Sequence, residues 1–276
     1  MTNDIKLIAI DLDQTLLDHD LKIPERNREV LAEAARQGVT IAIATGRTHD
    51  SAERFAVELG IDAPVISYNG AMIRKPGADE PMRHVRLDPD IAAEIVETVV
   101  HEMIDFIYFL DDDLYTARFD HWARRYLRRT GDLVQIAGDL RKLAGNSPTK
   151  ILMMGTPQAT IERYEQFRAQ YGERIYCTIS LPEYMEVLNP QATKATALLW
   201  LAEHLGIPIE HTMALGDSLN DLEMVCTAGV GVFMPIADTE LQEQADFIPT
   251  SAREGVAEAV EQLVLGREPV PEGGGQ

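Results

Sequence analysis

The chain has 276 residues, 45% of them hydrophobic, with 45 Asp and Glu against 25 Lys and Arg, a formal net charge of −20. That balance excludes a non-specific nucleic-acid binder, which needs clustered cations to displace counterions from a phosphate backbone. The length suits one large domain or two ordinary ones. No apolar run approaches the roughly 20 residues of a membrane span, and no basic then apolar leader opens the chain, so a soluble cytoplasmic protein is expected.

Ile5–Ile10 is a short run of branched apolar residues ending at Asp11-Leu12-Asp13, the pattern of a strand buried on both faces of a parallel sheet. Pro24–Gln37 reads as a helix, with Pro near its start and Gly38 at its end. Val39–Ala44 is a second strand, followed by Thr45-Gly46-Arg47 and a helical segment to Leu59. Pro64–Ser67 is a third strand, leading to the turn signal Asn69-Gly70. This βαβ spacing predicts a parallel sheet with helices on its faces.

The rhythm changes after Pro81. Helices are expected over Pro89–Glu102, Asp120–Arg129 and Gln158–Tyr171. Strands are expected at Ile104–Leu110, Leu114–Thr116, Lys150–Met154, Ile175–Ile179 and Tyr184–Leu188. That order suits an α+β unit with an antiparallel sheet. Beyond Asn189-Pro190 the alternation resumes: helix Lys194–Leu205, strand Thr212–Leu215, helix Ser218–Met224, strand Val230–Phe233, short helix Thr239–Gln244 and last helix Val256–Leu265. The fold class is therefore α/β, a doubly wound parallel-sheet core over residues 1–82 and 191–267, interrupted by an α+β insert over 83–190. The Pro- and Gly-rich stretch 268–276 is expected to be disordered.

Ligands of an open parallel sheet bind outside the carboxyl ends of its strands. Four features fall there: Asp11 and Asp13, Thr45, Asn69-Gly70, and Gly216-Asp217 with Asp221. Alternate residues of an extended segment point the same way, so Asp11 and Asp13 could face one cleft. Asp221, four residues beyond Asp217, can face back toward it. Carboxylates at ~4 Å repel by about 4 kcal/mol per pair in a site of intermediate dielectric. A divalent cation relieves this, and an oxygen-only set is what Mg²⁺ prefers.

Asp11-Leu12-Asp13-Gln14-Thr15-Leu16-Leu17 resembles the first motif of the haloacid dehalogenase-like (HAD) phosphatases. Thr45-Gly46-Arg47 resembles the second and Lys194 at a helix start the third. Gly216-Asp217-Ser218-Leu219-Asn220-Asp221 is similar to the fourth, in the form of the Cof-type subfamily. The likeness runs from Ile5 to about Leu265 and makes the insert similar to that subfamily's α/β cap, which governs substrate choice.

The resemblance implies that Asp11 attacks phosphorus and carries an aspartyl-phosphate, and that Asp13 protonates the leaving oxygen and then activates water. Thr45 and Lys194 hold the transferring phosphoryl oxygens. Mg²⁺ is held by Asp11, Asp217 and the Asp13 carbonyl, with Asp221 orienting a metal-bound water or Lys194. Gly46, Arg47, Asn69, Gly70 and Asn220 are candidate substrate contacts. The expected substrate is a small phosphorylated metabolite, a sugar phosphate or phosphorylated cofactor, and the chain a monomer or small homo-oligomer. A phosphomutase and a non-hydrolytic phospho-acceptor or binding module are the alternatives.

Several segments depart from the pattern or lie outside it. Family members usually have Gly where this chain has Gln14, so Gln14 either takes an ordinary conformation or strains the loop, and its amide could reach a phosphate oxygen. Ala195 replaces the usual Gly after the third-motif lysine, and the Asn common after the last core strand is replaced near Ile236. The run Arg124-Arg125-Tyr126-Leu127-Arg128-Arg129 is read as a solvated helix face, with contact to an anionic substrate as the alternative. Asp111-Asp112-Asp113 reads as a solvated hairpin turn. Cys177 and Cys226 are expected as buried, inert thiols in a reducing compartment, and His101 and His204 as surface residues.

Overall fold

The computed structural model describes residues 4–268 except 61 and 144; the expected disorder of 269–276 lies outside the described residues. Strands β1 (Leu7–Ile10) and β2 (Thr40–Ile43) flank helix α1 (Glu25–Arg36), and α2 (His49–Leu59) leads to β3 (Val65–Ser67). Two strands foreseen by no sequence signal follow, β4 (Met72–Arg74) and β5 (Arg83–His84). Next come α3 (Pro89–His101), β6 (Asp105–Leu110), β7 (Asp113–Thr116), α4 (His121–Thr130), β8 (Val134–Ile136), β9 (Lys150–Met154), α5 (Pro157–Tyr171), β10 (Tyr176–Leu181) and β11 (Tyr184–Leu188). The last elements are α6 (Lys194–Leu205), β12 (Thr212–Gly216), α7 (Leu222–Thr227), β13 (Val230–Phe233), α8 (Thr239–Gln242) and α9 (Gly255–Leu263).

The first sheet runs β13-β12-β1-β2, every pair parallel, and a parallel bridge from Ala44 to Ile66 ties on the antiparallel β3-β4-β5. Its two faces follow the period-2 alternation of β1. Ile8 and Ile10 pack with Val30, Leu31, Phe55 and Val260 from α1, α2 and α9. Leu7 and Ala9 pack with Leu198, Leu201, Met224 and Val225 from α6 and α7. Fully burying each large aliphatic side chain stabilises by about 1.5–3 kcal/mol, which is why strands buried on both faces carry so few polar residues.

The second sheet runs β10-β11-β9-β6-β7-β8 and is antiparallel except for β7 with β8. Helices α3 and α5 cover one face through Ile95, Val99, Phe167 and Tyr171. The other face packs on Tyr68, Ala71 and Met72 of the first unit and on Tyr126 of α4. Because side chains alternate, β9 turns Lys150 and Leu152 toward this second face and Ile151 and Met153 toward the first. Strand β11 likewise turns Tyr184 and Glu186 to the second face. No helix among the described residues is long and apolar enough to cross a membrane.

Candidate active site

The carboxyl ends of β1, β2 and β12 meet under the second face of the inserted sheet. Asp11 leaves β1 with its N–H donated to the Leu215 carbonyl of β12 (3.0 Å), which sets it beside the loop after that strand. Gly216 makes the crossing possible: a Cβ there would stand 2.3 Å from the Cβ of Asp221, so a larger residue would push Asp221 out of the site. Asp221 then accepts the backbone N–H groups of Asp217 and Ser218, both at 3.1 Å, and fixes the loop.

Oxygens of Asp11, Asp217 and Asp221 lie within 4.8 Å of one another, and all three residues are buried. A single cation answers them. The Lys194 ammonium, at the first residue of α6 and fully buried, donates to Asp11 and to Asp221 at 2.6 Å each. Burial pushes the Asp11 carboxyl well above its ordinary range, with Lys194 opposing and Asp221 and Asp217 adding to the rise. Burial and the neighbouring Asp221 push Asp217 up to about 7. Burial pushes Lys194 down, but Asp11 and Asp221 outweigh it and raise it.

With all three carboxylates ionised, one ammonium would leave two negative charges uncompensated in a desolvated space, which is why burial raises Asp11 and Asp217 in the absence of further positive charge. The donors are all oxygen. Both facts fit a hard divalent cation held by Asp11 and Asp217, with Asp221 beside them. Asp217 is further oriented by Ser218 Oγ at 2.7 Å, Thr15 Oγ1 at 3.2 Å and the Gln14 amide at 3.2 Å. Gln14 takes φ of 65°, so it occupies the left-handed conformation that a glycine would occupy at less cost, and its amide reaches a carboxylate of the acidic cluster.

Asp13 stands apart from this cluster, against positive charge. Arg47 donates to both its oxygens (2.7 and 2.8 Å), and Arg129 of α4 adds a bond at 3.1 Å. Burial alone would raise the Asp13 carboxyl; the Arg47 bonds, then Arg129 and Lys194, outweigh it and hold it below its ordinary range. The cleft between the two units opens to solvent, with about 570 Å³ of empty space counting that solvent. Asp11, Asp13, Thr45, Gly46, Arg47, Asp217 and Asn220 line its floor, and Tyr126, Arg129, Lys150, Tyr184 and Glu186 its roof.

The structure brings together all but the periphery of the expected site. Lys194 and Asp221 lie behind the wall that Asp11 forms. Gly70 is not on the cleft surface: at φ of 100° it packs on the Thr193 carbonyl, and a Cβ would stand 2.1 Å from that oxygen. Asn69 is buried in a relay, accepting from the Asn220 amide at 2.9 Å and donating to Glu186 at 3.0 Å. Lys150 completes the relay, donating to Glu186 at 2.6 Å and to the Gly46 carbonyl at 2.7 Å. Neither Lys150 nor Glu186 was foreseen. Their signal was present as single charged residues inside otherwise apolar strands, where no solvent-facing side exists to receive them.

Three expectations need correction. The arginine run is not only a solvated face, because the last turn of α4 swings Arg129 over Asp13. The 111–113 turn is not merely solvated: Arg74 binds Asp112 at 2.9 Å and Arg86 binds Asp111, pinning the β6–β7 turn to β4 and to the segment after β5. Cys226 is exposed, because it lies on the outer side of the short α7; Cys177 is half-buried, its thiol pushed up by burial to about 12. His101 and His204 are exposed, as expected, and His204 stacks on Trp200.

A model of haloacid dehalogenase-like hydrolases matches residues 8–260. YxeH of Bacillus subtilis is 30% identical over 270 residues, 95% of this chain and 99% of that protein. The HMP-PP phosphatase of Escherichia coli K12 is 29% identical over 248 residues, 88% of this chain and 89% of the enzyme. The solved structure of a haloacid dehalogenase-like hydrolase from B. subtilis superposes with a TM-score of 0.83 at 27% identity, over 94% of this chain and all of that one.

Proposed function

The chain belongs to the haloacid dehalogenase-like hydrolase family and is a phosphatase, and from that premise we propose a Mg²⁺-dependent enzyme that hydrolyses small phosphorylated metabolites through a phosphoryl group carried on Asp11. Sugar phosphates and phosphorylated cofactors are the substrate class, and residues 83–190 act as the cap that selects among them. The observation that supports this best is the buried Asp11–Asp217–Asp221 cluster with one ammonium, set beside an Asp13 bracketed by two arginines.

In this reading an Asp11 oxygen bonds to phosphorus as the ester P–O bond breaks, and the leaving oxygen takes its proton from Asp13. Water then attacks phosphorus, gives its proton to Asp13, and the P–O bond to Asp11 breaks to release phosphate. Arg47 and Arg129 lower the Asp13 carboxyl, so Asp13 takes up a proton from solvent as the incoming ester draws an arginine away, and it is this proton that passes to the leaving oxygen. Thr45, at the cleft floor, and Lys194, through Asp11, offset charge on the transferring group. Magnesium on Asp11 and Asp217 would supply Lewis-acid charge neutralisation, letting two anions approach.

Phosphate release from a panel of phosphate monoesters, with Mg²⁺ and with EDTA, tests the reading. Turnover should need the metal and vanish in Asp11→Asn. Asp13→Asn should lose at least about 100-fold in kcat while Mg²⁺ affinity measured by calorimetry stays within a few fold. Full turnover by Asp11→Asn, or unchanged kcat in Asp13→Asn, would refute the assigned roles. Phosphoryl transfer to an added alcohol in place of water would favour a mutase.

A further inference from the structure

The roof of the cleft carries binding capacity that hydrolysis of a simple ester does not use. Arg47 already pairs with both oxygens of Asp13 and is buried. Arg129 adds one bond, to the same Oδ1 that Arg47 occupies, and its side chain is 33% exposed. Among the described residues that is the one hydrogen bond its guanidinium makes, so most of its five donors are uncommitted, on a side chain that lines the cleft. Beside it on β11, Tyr184 is 4% exposed and its hydroxyl is buried with no partner among the described residues. Both residues line the cleft opposite Asp11. A buried hydroxyl without a partner costs about 1–3 kcal/mol, a cost removed when a ligand accepts its proton.

We propose that Arg129 and the Tyr184 hydroxyl form a second oxyanion subsite, and that preferred substrates carry a further carboxylate or phosphate on the leaving group. This rests on the phosphatase reading above and specifies its substrate. The transferring phosphoryl group sits at Asp11, and the second anion meets a planar guanidinium whose fork matches carboxylate and phosphate oxygens. On a chain of net charge −20, a guanidinium with spare donors at the cleft roof also sets where an anion can enter. Arg129 changes partner as the substrate enters, leaving Asp13 to Arg47 alone.

Two matched pairs of substrates, with Mg²⁺ present, separate the sources of the second anion. Glycerol 3-phosphate against 3-phosphoglycerate adds a carboxylate; fructose 6-phosphate against fructose 1,6-bisphosphate adds a phosphate. The wild type should favour the anionic member of at least one pair by about tenfold or more in kcat/KM. Arg129→Met should bring that ratio toward one, mainly through KM, Arg129→Lys should keep part of it, and Tyr184→Phe should lower it a few fold. Ratios near one in both pairs, or a preference that survives Arg129→Met, overturn the subsite and leave the phosphatase reading intact. No phosphate release from any of the four esters overturns the subsite, while release from other members of the monoester panel leaves the phosphatase reading standing.

Discussion

His49 opens α2 with both ring nitrogens buried and without partners among the described residues. Burial, then the nearby Arg74 guanidinium, lowers its imidazole to about 4; burial and Arg86 do the same to His84. The unfolded chain takes up these protons near pH 6.5, so between pH 6.5 and 4 it binds more protons than the folded one, and stability falls as pH drops through that window. The contribution is fully present above pH 6.5 and gone below 4. Replacing His49 by Phe removes its share, and the stability gap between wild type and variant should change by roughly 2–3 kcal/mol from pH 7 to pH 4 in urea unfolding. A gap that does not move with pH would show that His49 protonates in the folded chain. At the same scale Gln14 shows what a single residue leaves open. The sequence offered two conformations for it, and the neighbouring Asp217 carboxylate, 203 residues away along the chain, accounts for the left-handed one by accepting its amide.

At the scale of elements, strands and helices followed hydrophobic period and end signals closely: β9, β11, β13 and α6 have the bounds expected from pattern alone. The short strands β4, β5 and β8 were missed, because three residues or fewer carry no period and are held by their neighbours. Ser218–Met224, expected as one helix, opens instead with a 3₁₀ turn over Leu219–Asp221 and becomes α-helical from Leu222, since Asp221 turns back to cap its own loop. The start of α6 depends on an element outside it. The Gly70 turn after β3 packs on the Thr193 carbonyl, one residue before Lys194. Gly70→Ala should therefore cost roughly 3 kcal/mol or more. Gly38→Ala, at φ of 91° but with open space around it, should cost about 1–2 kcal/mol. Equal losses in the two variants, measured by urea unfolding, would mean that φ and not the close approach decides.

For the whole molecule, the two units are joined through charge as well as apolar contact. Lys150 and Glu186 belong to the inserted sheet, yet they hold the Gly46 carbonyl and Asn69 of the first unit, next to Thr45. Lys150→Met strands a buried carboxylate and should destabilise by about 3–5 kcal/mol, whereas Lys150→Met combined with Glu186→Leu should recover much of that loss. A double variant no more stable than the single one would remove the pair from the account. By itself the sequence determined the α/β class, the order of nearly all long elements and the acidic residues at the ends of β1 and β12. Those depend on local period, on turn chemistry and on residue types whose burial needs a reason. Only the tertiary structure decided which cation answers which acid: Lys194 with Asp11 and Asp221, Arg47 and Arg129 with Asp13, Lys150 with Glu186. Partner choice among charges is set by distance and desolvation in the folded chain, and neither quantity is carried by the spacing of residues along it.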